Sequence, residues 1–280
     1  MVKLMIQVVG AVGIDIVAMR ERFLNGTSNP SDIRMSLGGV GYRIFSNLDV
    51  PRRFITALAA DPISRWAREA LEADGSVTIQ GVKDRDSAPP LYLALMESGS
   101  LKIAASDFRI IEQALSADFV ERALGDPGQS DFLVLDANLS AGLLSRLVER
   151  YARSTRVIVE PVSIEKAARH ARALHDLYLL TPTQEEMDAL GARDIPRFMI
   201  ERRIQTIVLT RGEKGLSLYH AGDPRQDFSP GTLVEARDTT GAGDLLLSAL
   251  LCALHRGVEM REAVRRAMTE VETRLSREAT

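Results

Sequence analysis

Asp238-Thr239-Thr240-Gly241-Ala242-Gly243-Asp244, followed at once by Leu245-Leu246-Leu247-Ser248-Ala249-Leu250-Leu251, decides how this chain is read. Two glycines let the backbone come close to a ligand. The apolar run after them reads as a helix whose first N–H groups lack intrahelical partners. Those groups sit at the positive end of the helix dipole and favour an anion such as a phosphate. Asp244, in the first turn, puts a carboxylate where it can take a proton from an attacking hydroxyl. The helical run over 241–254 is apolar nearly all round, so it belongs in the interior, and its polar end calls for a ligand. An anion cradle beside a base implies phosphoryl transfer. The plainer alternative is a turn followed by a helix capped at Thr240.

Outward from that stretch, short β-rich runs alternate with helical patterns. Residues 4–9, 54–58, 132–135, 157–159, 177–180 and 206–209 read as buried strands, and 63–73, 141–151, 185–190 and 196–203 as helices. Alternation of this kind predicts βαβ units and a mostly parallel sheet covered on both faces. Residues 12–37 and about 76–106 break the rhythm with extended patterns joined by turns such as Glu97-Ser98-Gly99-Ser100, and read as a small β lid. A hairpin is expected from 215–220 and 232–235. Met260, Ala263, Val264, Ala267, Met268, Val271 and Leu275 recur at helical spacing and predict an amphipathic last helix with a solvated charged face. One domain over 1–280 with lid segments is the expected organisation.

The composition narrows the function classes. A chain of 280 residues, 45% hydrophobic, with net charge −3 and interspersed charges, has the makings of a large core but no basic stripe for nucleic acid or a membrane surface. No apolar stretch is long enough to span a bilayer, and residues 1–11 lack the flanks of a signal peptide. The one cysteine, Cys252, excludes a disulfide framework and fits a reducing cytoplasm. The four histidines show no spacing for zinc. Gly10-Ala11-Val12-Gly13 lacks the third glycine and following helix of a dinucleotide fingerprint, and no G-x-x-x-x-G-K-[ST] P-loop occurs.

With these pieces in order, the chain resembles the PfkB carbohydrate kinase family and its ribokinase-like fold. The stretch Asp238–Asp244 matches that family's C-terminal motif, and Gly13-Ile14-Asp15, Gly38-Gly39-Val40-Gly41 and Thr210-Arg211-Gly212-Glu213-Lys214-Gly215 agree in order and spacing. Within the family it is most similar to pseudouridine kinases, through Ser28-Asn29-Pro30, Ser106-Asp107, Asp136-Ala137-Asn138-Leu139 and Glu160-Pro161-Val162-Ser163. The resemblance implies a three-layer αβα sandwich with a small β lid, and an ATP- and Mg²⁺-dependent kinase acting on the primary hydroxyl of a nucleoside or sugar, pseudouridine first. It implies Asp244 as base, with Gly241, Ala242 and Gly243 supplying backbone N–H groups. Asp15, Gly38, Gly39 and Arg43 fall on the substrate, Thr210, Gly212, Gly215 and Thr240 on the nucleotide, and Glu186 on the metal. It further implies a cytoplasmic protein forming a homodimer through the lid.

The chain departs from the family where substrate is read. Arg43 stands where the family usually has asparagine, and arginine is longer, always charged and a donor only. Thr183 replaces the asparagine of an N-x-x-E motif ahead of Glu186, and Glu160 replaces an aspartate. Besides pseudouridine kinase, two readings stay open: another sugar or nucleoside kinase, and a kinase-like protein that binds nucleotide or sugar with little catalysis.

Overall fold

The computed structural model describes residues 5–82, 88–231 and 241–278. Asp238, Thr239, Thr240 and the expected strand over 232–235 lie outside the described residues.

The chain opens with β1 (Ile6–Val9), β2 (Gly13–Arg20) and β3 (Asp32–Gly38), then α1 (Val40–Asn47), β4 (Arg52–Leu58), α2 (Pro62–Glu72) and β5 (Val77–Gly81). A hairpin of β6 (Leu91–Glu97) and β7 (Ser100–Asp107) leads to α3 (Arg109–Ala114), α4 (Ala117–Leu124), β8 (Phe132–Asp136) and α5 (Ala141–Tyr151). Next come β9 (Arg156–Glu160), α6 (Ile164–His170), β10 (Leu179–Leu180), α7 (Gln184–Ala189), α8 (Ile195–Arg202) and β11 (Thr206–Thr210). The described chain finishes with β12 (Leu216–His220), β13 (Gln226–Phe228), α9 (Ala242–His255) and α10 (Met260–Glu278).

The large sheet runs β13-β12-β11-β10-β9-β8-β1-β4-β5. Every pairing from β11 to β5 is parallel, and β12 alone is reversed, pairing antiparallel with β11 on one side and with β13 on the other. Side chains alternate along each strand, so each apolar run feeds two faces. On β8, Phe132 and Val134 pack with α1, α9 and α10, whereas Leu133 and Leu135 pack with α5 and α8. That is the three-layer αβα arrangement. Each fully buried Leu or Phe stabilises it by about 1.5–3 kcal/mol relative to exposure. Local signals place the helices. In α2, Asp61 accepts from the N–H groups of Ile63 and Ser64, Pro62 stands at the helix start, and Ala67 and Leu71 turn inward.

A second sheet, ordered β3-β2-β6-β7, stands apart from the first. Its β6–β7 turn has Ser98 and Gly99 both at positive φ, as a two-residue primed hairpin turn requires. Residues 77–81, expected in the lid, instead pair with β4 at the edge of the large sheet. The partner of β12 is β13, which precedes the expected 232–235. Helix α1 was not expected; it begins directly after the glycine pair and buries Gly41, Ile44 and Phe45 at helical spacing. Among the described residues no helix is long and apolar enough to cross a membrane.

Candidate active site

Parallel strands all end at one edge of the large sheet, and ligands of open α/β sheets bind in the crevice there. At this edge β8 ends in Asp136, β9 in Glu160 and β11 in Thr210, and α9 begins at Gly241.

Gly241 caps α9 in a left-handed conformation, φ 83°, and, having no side chain, makes no side-chain cap to the first N–H groups. The positive φ favours glycine there, and a Cβ would lie 2.6 Å from Nη1 of Arg43 and displace the guanidinium. At Gly243 a Cβ would meet nothing within 4 Å among the described residues, so none of them covers the first turn of α9 there. Asp244 in that turn is buried, and burial pushes its carboxyl up to about 7; the Arg43 cation opposes the shift, while Asp136 and Asp15 add to it. A general base works best with a pKa near the working pH.

On the other wall, Asp15 of β2 is 4% exposed. Nη2 of Arg43 donates to its Oδ2 at 2.5 Å, so Arg43 points into the cleft rather than away from it. The glycine pair beneath is filled by the protein itself. A Cβ on Gly38 would fall 2.2 Å from the Asp15 carboxylate, and Gly39, at φ 90°, lies so close to Ala11 that a Cβ would be 2.8 Å from its carbonyl oxygen. Close internal packing therefore accounts for both glycines.

Three groups here were not assigned from the sequence. Asp136 is fully buried and accepts from the N–H groups of Ala11 at 2.7 Å, Gly41 at 2.9 Å and Asn138 at 3.0 Å. It ties the β1 loop to the start of α1. Burial raises its carboxyl, opposed by the N–H donors and by Lys166. Lys166, itself held below its ordinary range by burial, donates to Asn138. Glu160 is held well above the carboxylate range by burial, and Asp244 and Glu186 push it further, while its hydrogen bond from Thr181 opposes. Asp136 and Glu160 both stand among the stretches that carry the resemblance to pseudouridine kinases, but the only physical signal for their place at the site is an acid closing an apolar strand.

Glu186 forms a capping box with Thr183: the Thr183 N–H donates to Oε2 at 2.8 Å, and Oγ1 of Thr183 accepts from the Glu186 N–H. Burial raises its carboxyl, and the Thr183 N–H opposes. Thr-x-x-Glu is the sequence mark of this box. Thr183 also bridges to Thr210, whose N–H donates to the Pro182 carbonyl at 2.9 Å. In the following turn Gly212, at φ 56°, faces open space, whereas a Cβ on Gly215 would collide with the Phe228 carbonyl at 2.0 Å. Asp244, Asp15, Arg43, Gly38, Gly39 and the α9 turn thus converge, Glu160 links them to Glu186, and the Thr210 turn lies farther along the same edge.

The model of the pfkB family carbohydrate kinases matches residues 3–269. Pseudouridine kinase of Escherichia coli (strain K12) is 24% identical over 277 residues, covering 92% of this chain and 86% of that protein. A carbohydrate kinase from Agrobacterium tumefaciens superposes with a TM-score of 0.78 at 27% identity, covering 96% of this chain and 89% of that one. Arabidopsis thaliana ribokinase, solved with ribose and ATP, gives a TM-score of 0.75 at 18% identity, covering 97% and 92%. The fold is ribokinase-like.

Proposed function

Since the chain belongs to the pfkB family of carbohydrate kinases and is a phosphotransferase acting on a sugar or nucleoside hydroxyl, we propose that it phosphorylates pseudouridine with ATP. The product is pseudouridine 5′-phosphate. The observation that carries the kinase chemistry is Asp244, a buried carboxylate held at about 7 in the first turn of α9. The choice of pseudouridine rests on the 24% identity to the Escherichia coli pseudouridine kinase. The acceptor hydroxyl approaches Asp244 from the side of Asp15, Gly38, Gly39 and Arg43. Its oxygen bonds to the γ-phosphorus, the bond to the β–γ bridging oxygen breaks with its electron pair leaving on ADP, and the proton passes to Asp244. Backbone N–H groups of Gly241, Ala242 and Gly243 face the phosphoryl oxygens, an arrangement that stabilises developing charge without reorganisation. The nucleotide lies along Thr210, Gly212 and Gly215, and Thr240, outside the described residues, is its further expected contact.

Glu186 commits Oε2 to Thr183, and no group of three acidic, His or Cys side chains among the described residues could hold a metal unaided. Mg²⁺ usually keeps several waters and takes one or two carboxylates plus substrate phosphates, so this sparse set, with Glu186 acting through water, fits an ion that arrives with ATP. When bound it neutralises phosphate charge.

The small sheet supports a homodimer. By register Ile33, Ala18, Leu95 and Ile103 share one face with Met35, Ile16 and Leu93, and Ile33 and Ile103 are 63% and 61% exposed. Apolar faces of this kind mark association sites; a single monomer species in sedimentation velocity would remove this part. A cytoplasmic setting fits the dependence on ATP and the buried thiol of Cys252.

The Asp15–Arg43 ion pair favours a second reading, a kinase-like binder, because it occupies the groups that would hold sugar hydroxyls. ADP release from Mg-ATP, measured with pseudouridine, uridine, adenosine, ribose and fructose, separates the two. Stimulation led by pseudouridine supports the proposal, stimulation led by another acceptor moves the substrate, and none at all supports the binder.

A further inference from the structure

Arg43 lies between the two halves of the site. Its Nη2 donates to Asp15, and its Nη1 approaches the place a Cβ would take on Gly241, the residue that opens α9. Its charge is also the main influence opposing burial at Asp244. In the ion pair the arginine side chain is 26% exposed and the carboxylate 5%, so a molecule entering the cleft meets the guanidinium first. Among the described residues Asp15 is its one hydrogen-bonding partner, which leaves most of its five N–H donors for a ligand.

We propose that Arg43 is a catalytic residue, supplying positive charge to the phosphoryl group in flight between nucleotide and acceptor, with Asp15 holding it in place. The inference rests on the kinase reading. Phosphoryl transfer passes through a loose transition state with charge spread over three equatorial oxygens, and the protein's main task is to position and neutralise that group. The N–H groups of α9 reach it from the helix side. Arg43 reaches it from the acceptor side, at the mouth of the same anion hole. A neutral amide at this position offers neither the charge nor the reach. An arginine so placed is worth about 10³–10⁵ in rate where one is supplied to other phosphoryl-transfer sites. The ion pair with Asp15 is then an anchor that fixes the guanidinium before the nucleotide arrives, which spares the cost of ordering a long side chain.

Aluminium fluoride with Mg-ADP imitates the planar phosphoryl group, and water can take the acceptor position, so the test needs no identified substrate. Isothermal titration is run on the wild type, Arg43→Asn and Arg43→Lys, with Mg-ADP alone and with added aluminium fluoride. Mg-ADP alone binds all three alike. The tightening caused by fluoride falls about 100-fold or more in Arg43→Asn and is partly kept in Arg43→Lys. Equal tightening in Arg43→Asn and wild type overturns the role of Arg43 and leaves the kinase reading standing, as does a wild type that binds Mg-ADP without any tightening. A wild type that does not bind Mg-ADP removes both. Should Arg43→Asn fail to fold because Asp15 is left buried without a partner, the double variant Asp15→Asn with Arg43→Asn removes that charge and carries the same readout.

Discussion

The two walls of the cleft treat their glycines in opposite ways. On the acceptor wall, Gly38 and Gly39 are glycines because the protein's own atoms fill the space a side chain would need, Asp15 in one case and the Ala11 backbone in the other. On the nucleotide wall, Gly243 and Gly212 face nothing within 4 Å among the described residues. The first wall is tightly packed beneath its surface, and of the ion pair that crowns it only the Asp15 carboxylate is buried. The second keeps N–H groups and space that no described residue fills. On the proposed reading, substrate selectivity belongs to the tightly packed wall, where a substitution disturbs folding and recognition together. On the same reading, phosphate handling belongs to an open one, where function can be altered without loss of stability.

The largest effect expected falls on the open wall. Asp244→Asn keeps the shape of the side chain but cannot accept the proton, and kcat for ADP release drops by about 10²–10⁴ with nucleotide affinity retained. Unchanged turnover would remove Asp244 from the base role. Next comes a pair of glycine substitutions that sets the walls against each other. Gly38→Ala drives a methyl into the Asp15 carboxylate and lowers stability by about 1–3 kcal/mol in urea unfolding. Gly243→Ala meets no clash inside α9 and gains up to about 1 kcal/mol from helix propensity, yet weakens Mg-ATP binding by narrowing the approach to the helix end. If both variants lose stability to the same degree, the contrast between the walls fails.

How much of this was legible in the sequence follows from how local each signal is. The α9 turn, with its glycines, acid and apolar run, is a local pattern, and so are the apolar strands of the large sheet. The role of Asp136 is not: its N–H partners at Ala11 and Gly41 lie 125 and 95 residues away in sequence. Val77-Thr78-Ile79-Gln80-Gly81 alternates apolar and polar residues, a pattern that fits either sheet, and only pairing with β4 decides between them. Thr183 reads as a departure from a metal-organising motif until the capping box shows it serving the helix that carries Glu186. Arg43 was visible as a residue type out of place, but the direction of its side chain depends on α1 and on the buried carboxylate of Asp15.

The smallest effect, a displacement along the pH axis, tests whether the walls are joined electrically. Asp244 accepts a proton only as the carboxylate, and burial holds its pKa at about 7. The rate of acceptor phosphorylation, as kcat/KM, therefore climbs with pH through neutrality, by about tenfold between pH 6 and the plateau. Arg43 is the cation that opposes this upward shift. Without it the carboxylate is less favoured, so Arg43→Asn moves the acid limb to higher pH. Mg-ADP affinity depends on the open wall and keeps its own pH dependence in the same variant. A limb that stays in place in Arg43→Asn would mean that the guanidinium charge is spent on Asp15 alone. A limb that moves makes the acceptor wall part of the charge balance at the base, even though its hydrogen bonds are all internal.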